Sequence, residues 1–235
     1  MSTNKSTNGF RERLDLVLCG RPCTPFLQGI GILGGTANRI CGGALPKAEA
    51  LARIAKVENA SITWLLTGQG DPFVVAHPQN REQAIELLET LCGDEDWEVS
   101  GVLCQDVRRP PICVLTMPAT IQGPDEREPI HYTEMVVLKM PDSASSSLMC
   151  VARLAPETYG VRDDAWQDIA GGYAGTYRVL EILRGAKLLS QLVEPPTSIY
   201  DATELGDSLR DQIAQLSERD QRLLQALISE MNKED

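Results

Sequence analysis

The sequence predicts a multidomain chain: an all-α domain of five short helices, then an α+β domain, then a C-terminal amphipathic helical segment. Three observations predict it. Residues 9–70 place apolar side chains at helical spacing, broken by glycine pairs and prolines. Residues 97–153 change to runs of β-forming residues between turn signals. Pro195-Pro196 then marks a boundary ahead of a leucine-rich amphipathic tail.

The first helix is expected over about 9–19, where Phe10, Leu14, Val17 and Leu18 recur, and Gly20-Arg21-Pro22 stops it. Thr24 is expected to cap a second helix, with Pro25 at its first position, that carries Phe26, Leu27 and Ile30 and ends near Gly31. Residues 34–41 make a third, with Ala37 and Ile40 inward and Gly42-Gly43 ending it. Pro46 opens a fourth, which buries Ala48, Leu51, Ala52, Ile54 and Ala55. Ser61 caps a short fifth helix holding Ile62, Trp64, Leu65 and Leu66. This domain spans 1–73, and 74–83 reads as a linker.

The α+β domain is expected over 84–195. Glu82–Leu91 reads as helix, and 97–104, 112–116, 131–139 and 148–153 read as strands. Residues 176–183 fit either another strand or the start of a helix reaching Leu192. In the tail, 196–235, Leu209, Ile213, Leu216, Leu223 and Leu227 follow 4-3-7-4 spacing, with Asp220 at the skipped position. That spacing suits either helices packed on the preceding domain or a self-association seam.

At 235 residues the chain has room for one large domain or two modest ones. Hydrophobic residues at 43% and charged residues at 23% describe a globular chain, and 5% aromatics predict aliphatic cores. No apolar run approaches the roughly 18 residues of a membrane span, and the first eight residues are polar. These features argue against a secreted or membrane-spanning protein. Seven cysteines cannot all pair within one chain, and no Cys-x-x-Cys occurs. With only His77 and His131 as histidines, no metal or other cofactor is expected, and the cysteines are expected to be reduced and buried.

The net charge of −11 is unevenly distributed. Up to residue 70, eight basic residues oppose Glu12, Asp15, Glu49 and Glu58, a net of +4 that leaves −15 for the rest. A basic N-terminal part suits a polyanion such as DNA, and the acidic remainder suits protein contacts or small ligands.

The stretch Phe26–Ile40 has helix-turn-helix logic. Gly31-Ile32-Leu33 forms the turn, Ile32 fills the angle between the helices, and Ala37 and Ile40 anchor the second helix. Gly34, Gly35, Thr36, Asn38 and Arg39 are then the exposed, DNA-binding candidates, with Lys47 beside them. Arg can bond guanine bidentately, Asn can pair with adenine, and a Thr methyl can touch thymine. The two glycines would let the backbone approach a phosphate at the positive end of the helix.

Residues 10–73, and above all Leu51–Phe73 with its Ser61-Ile-Thr-Trp-Leu-Leu-Thr-Gly68 element, resemble the N-terminal domain of lambda-type temperate-phage repressors. The resemblance covers about a quarter of the chain. It implies a five-helix DNA-binding domain, operator binding as a dimer or higher oligomer, transcriptional repression in lysogeny, and a cytoplasmic, nucleoid-associated protein in a bacterial host. Thr36, Asn38 and Arg39 would then read or grip DNA, whereas Trp64, Leu65 and Leu66 would be core. Gly34 and Gly35 depart from the polar residues usual there.

The C-terminal part does not follow the self-cleaving LexA-like pattern. Its only Gly-Asp-Ser is Gly206-Asp207-Ser208-Leu209, inside the amphipathic tail, with Lys233 as the only later lysine. A Ser–Lys dyad needs the base held within hydrogen-bond reach, so an enzyme is not expected. A Ser208 hydrolase is the distant alternative. The nearer alternative is a ligand-responsive regulator of host genes. In it, residues 84–195 would bind a small ligand or an antirepressor protein, and His131, Tyr132, Trp97 and Trp166 are the pocket candidates.

Overall fold

The computed structural model describes residues 5–94, 97–104, 109–123, 128–141 and 157–188. Five helices open the chain: α1 (Lys5–Leu18), α2 (Cys23–Gly29), α3 (Gly34–Cys41), α4 (Ala48–Glu58) and α5 (Ile62–Thr67). They enclose an apolar core of Phe10, Leu14, Leu27, Ile40, Ile54 and Leu65, all essentially free of solvent. Local chemistry sets their ends. Asn59 adopts a left-handed conformation (φ 53°) and terminates α4. Ser61 accepts a hydrogen bond from the Trp64 amide at 3.2 Å and caps α5. Arg13 reaches from α1 to donate to the Leu65 and Leu66 carbonyls at 2.8 and 3.1 Å, pairing groups that the last turn of α5 leaves open.

The chain continues through β1 (Val75–Ala76), α6 (Arg81–Asp94), β2 (Glu98–Cys104), β3 (Ile112–Gln122), β4 (Pro129–Lys139) and β5 (Glu157–Val161). It then forms α7 (Asp163–Ala170), α8 (Thr176–Gly185) and β6 (Lys187–Leu188). The strands make one mixed sheet in the order β1-β4-β3-β2-β5-β6. Its centre is antiparallel, with β3 paired to β2 and β4, whereas β1 runs parallel to β4 and β5 parallel to β2.

Period-two alternation gives the sheet two buried faces. Val102, Ile112, Val114 and Val137 pack with Trp166 and Ile169 of α7 and Val179 and Leu183 of α8. Val99, Cys113, Leu115 and Leu138 pack with Ala84 and Leu88 of α6.

The five helices are joined to this sheet layer by specific contacts. The Phe73 amide donates to the Gly172 carbonyl at 3.0 Å. A Cβ on Gly175 would lie 2.9 Å from the Glu58 carbonyl oxygen and would strike the Phe73 ring, so glycine is what admits this approach. Arg21 donates to Glu58 at 2.8 Å, and the Tyr177 amide donates to the same carboxylate at 3.3 Å.

Several expectations are corrected. The fold class changes: residues 1–190 group as one compact unit in which helices and a mixed sheet share an interface. It is not an all-α helix-turn-helix domain followed by a separate α+β domain. The reason is the Phe73–Gly175 and Glu58–Tyr177 contacts, which tie the last turns of the helical part to the sheet layer. The stretch 74–83 contains β1 and the start of α6. Of the two readings open for 176–183, the helix is the one formed, because Thr176, Val179 and Leu183 bury one helix face. The second helix begins at Cys23 with Pro22 at the cap, so Thr24 lies inside it. The cysteines are not all reduced and buried. Cys23 and Cys41 form a disulfide, and Cys19 and Cys92 are exposed. Residues 191–235 and the strand expected at 148–153 lie outside the described residues.

Candidate nucleic-acid interface

The helix-turn-helix stretch forms α2, a turn and α3. The turn is closed by the Gly31 amide donating to the Gln28 carbonyl at 3.0 Å and the Ile32 amide donating to the Leu27 carbonyl at 2.9 Å. Gly31 sits at φ 80°, a conformation that glycine adopts without a Cβ penalty. Ile30 and Ile32 are buried on either side of it, and Ala37 and Ile40 fix α3 to the core.

Burying that face leaves Gly35, Thr36, Asn38 and Arg39 exposed. Gly34 is half-buried, with Gln28 in contact range of where its Cβ would be, while a Cβ on Gly35 would meet open space. Leu33, at the cap of α3, supplies no side-chain acceptor, so it leaves the first-turn amides uncapped. Lys47 lies at the cap of α4, also exposed.

Thr36, Arg39 and Lys47 come together around one cleft of about 430 Å³. Arg53 also lines it, a residue sequence reasoning did not single out. It donates to Glu49 at 3.1 Å and to the Ile30 carbonyl at 3.3 Å. Leu33 and Leu45 add exposed apolar surface. Asn38 is held differently: the Thr24 hydroxyl donates to its Oδ1 at 3.3 Å and also lies 3.6 Å from Cys41 Sγ. Arg11 donates to the Cys41 carbonyl. The oligomerisation candidates Leu209, Ile213, Leu216, Leu223 and Leu227 lie outside the described residues, as does Ser208.

A second cleft, of about 450 Å³, lies between α2, α4, β4 and α8. His131 and Tyr132 line it. The other two pocket candidates are elsewhere: Trp166 is core, and its indole donates to the Pro110 carbonyl at 3.0 Å, while Trp97 packs in the cluster around α6. On one wall Arg21 stacks between the Phe26 and Tyr177 rings, 4.7 and 4.1 Å from their centroids. Glu58 is only 2% exposed; burial pushes its carboxyl above the usual range, and Arg21 opposes that shift. The Thr176 hydroxyl, on the same wall, is buried with no hydrogen-bond partner. Burial also raises the Tyr132 phenol, which donates to Glu134 at 2.8 Å.

No family model matches the chain, and no curated protein or solved structure matches it. Among the described residues, no helix is long and apolar enough to cross a membrane, and no three His, Cys, Asp or Glu gather to hold a metal ion.

Proposed function

We propose that the protein is a sequence-specific DNA-binding transcriptional repressor of phage type that grips operator DNA as a dimer or higher oligomer. The observation that carries this reading is the α2–turn–α3 unit. Its second helix is anchored by Ala37 and Ile40 and presents Thr36, Asn38 and Arg39 outward, with Lys47 close by. Arg39 is suited to a guanine edge or a phosphate. Asn38, its Oδ1 held by Thr24, keeps its amide nitrogen for an acceptor on a base. Lys47 is suited to the backbone, as is the uncapped start of α3. A dimer would set two such helices about 34 Å apart on one face of the duplex. Repression would follow from occupying a site that overlaps a promoter.

Full-length protein with Arg39→Ala or Asn38→Ala, titrated with a selected duplex and with a scrambled one, tests this. A loss confined to the selected duplex supports base reading. An equal loss on both supports a phosphate contact. Unchanged affinity for both variants would overturn the role of α3.

The second cleft favours one further reading, a ligand-responsive regulator. Its volume is in the range of small-molecule sites. The unpaired Thr176 hydroxyl and the Tyr132 and Tyr177 rings would orient a small molecule between the DNA-facing helices and the sheet. A thermal shift on a metabolite panel, lost when Leu180→Trp fills the cleft, would support it. No shift with any compound would count against it.

A further inference from the structure

We propose that Cys23 and Cys41 form a reversible thiol–disulfide site that locks α3 against α2 when oxidised and releases it when reduced. The bridge joins the first residue of α2 to the last residue of α3, across a Cα–Cα distance of 5.9 Å. It therefore closes a loop that contains both helices and their turn.

Apart from the buried Leu27, Ala37 and Ile40, these helices have weak local support. α2 is seven residues long and ends on Gly29, α3 begins Gly34-Gly35, and neither has a side-chain N-cap bond. Glycine is among the weakest helix formers, and short helices depend on their packing. Without the bridge, α3 is tied down mainly by Ala37 and Ile40.

The bridge also touches the DNA-facing side chains. The single Thr24 hydroxyl proton lies within reach of both Asn38 Oδ1, at 3.3 Å, and Cys41 Sγ, at 3.6 Å, so separating the sulfurs disturbs the group that positions Asn38. Both cysteines are half-buried, within reach of a small thiol, whereas Cys104 and Cys113 are buried in the sheet layer.

The exchange itself is balanced. One thiolate of a dithiol reductant attacks a sulfur of the Cys23–Cys41 bond and forms a mixed disulfide. The reductant's second thiolate then displaces the remaining protein sulfur. Two electrons and two protons end on Cys23 and Cys41, and the reductant leaves as its cyclic disulfide. Oxidised glutathione drives the reverse reaction and leaves as two thiols.

The consequence for DNA rests on the proposed function; the lock itself does not. The test compares full-length protein equilibrated with oxidised glutathione and with dithiothreitol. It reads alkylation of Cys23 and Cys41 by mass spectrometry, amide hydrogen exchange over 34–41, and affinity for random duplex DNA. The expected result is a Cys23–Cys41 cross-linked peptide only in the oxidised sample, exchange over 34–41 at least tenfold slower there, and at least tenfold tighter DNA binding. The paired variant C23S/C41S should behave like reduced wild type in both buffers, and C92S should keep the full response. Alkylation of both cysteines in the oxidising buffer would overturn the proposal, as would a bridge that leaves the exchange of 34–41 unchanged. DNA binding equal in both states would overturn its regulatory consequence. A redox-dependent exchange with no DNA binding in either state would leave the lock standing and remove the DNA reading instead.

Discussion

Arg21 and Glu58 form an ion pair at 2.8 Å in which the carboxylate is buried, with Tyr177 of α8 stacked on the guanidinium. Arg21 follows α1, Glu58 ends α4 and Tyr177 belongs to the sheet layer. Tyr177 thus ties this ion pair of the helical part to the sheet layer. Such a pair contributes less to stability than its geometry suggests, because removing both charges from water offsets much of their attraction.

The pair predicts a pH dependence with a definite sign. Glu58 holds its proton more tightly in the folded chain than in the unfolded one, whose glutamates titrate near 4.5. Its contribution to stability is therefore fullest below that value and is lost as pH rises through the raised folded value. Urea unfolding of wild type and Glu58→Gln should show wild type losing ground to the variant as pH rises above 4.5. A difference that is flat with pH would contradict this.

The close approach at Gly175 predicts a packing cost. An alanine Cβ there meets the Phe73 ring and the Glu58 carbonyl, both of them in buried residues. Gly175→Ala should destabilise the chain by about 1–3 kcal/mol, read as a lower urea midpoint. Gly185→Ala, whose Cβ would meet nothing within 4 Å, is the control and should not lower it.

Thr176 predicts a gain. Its hydroxyl is buried without a partner although the residue is only 5% exposed. Thr176→Val removes an unsatisfied polar group and keeps the shape, so the ligand-free protein should be stabilised by about 1 kcal/mol. A loss of similar size would mean that the hydroxyl has a partner in solution.

What could be read from the sequence, and what could not, divides on physical lines. The bounds of α3 were legible because Ala37 and Ile40 set its inward face and Gly42-Gly43 end it. The Ser61 cap was legible for the same local reason. The chain between Phe73 and Arg81 was not. β1 is two residues long and exists only because Val75 and Ala76 pair with Val137 and Leu138, some sixty positions away. α7 carries a local helix signal of its own: Asp163 and Asp164 in its first turn and Trp166, Ile169 and Ala170 on one face. For 176–183, β-forming side chains competed with helical spacing, and burial of Val179 and Leu183 on one face decided it. The Cys23–Cys41 bridge has no motif. Only the folding of α2 against α3 brings two cysteines 18 positions apart into bonding range. Within the candidate interface, the exposed residues of α3 were legible from periodicity. The contributions of Arg53 and Thr24 were not, because both depend on how neighbouring helices meet α3.

Arg39→Ala should weaken operator binding by about 1–3 kcal/mol if the guanidinium reads a base. Lys47→Ala should weaken binding to all duplexes alike and lower the salt dependence, as expected of a phosphate contact. Affinity measured at several salt concentrations separates the two roles.

The most direct measurement is selection of the full-length protein on a pool of random duplexes at about 150 mM salt, where non-specific charge contacts are weakened. Enrichment of an inverted or direct repeat is expected, with the preferred bases lost in the Asn38→Ala and Arg39→Ala chains. Recovery of no preferred sequence, with binding that only follows salt, would contradict it.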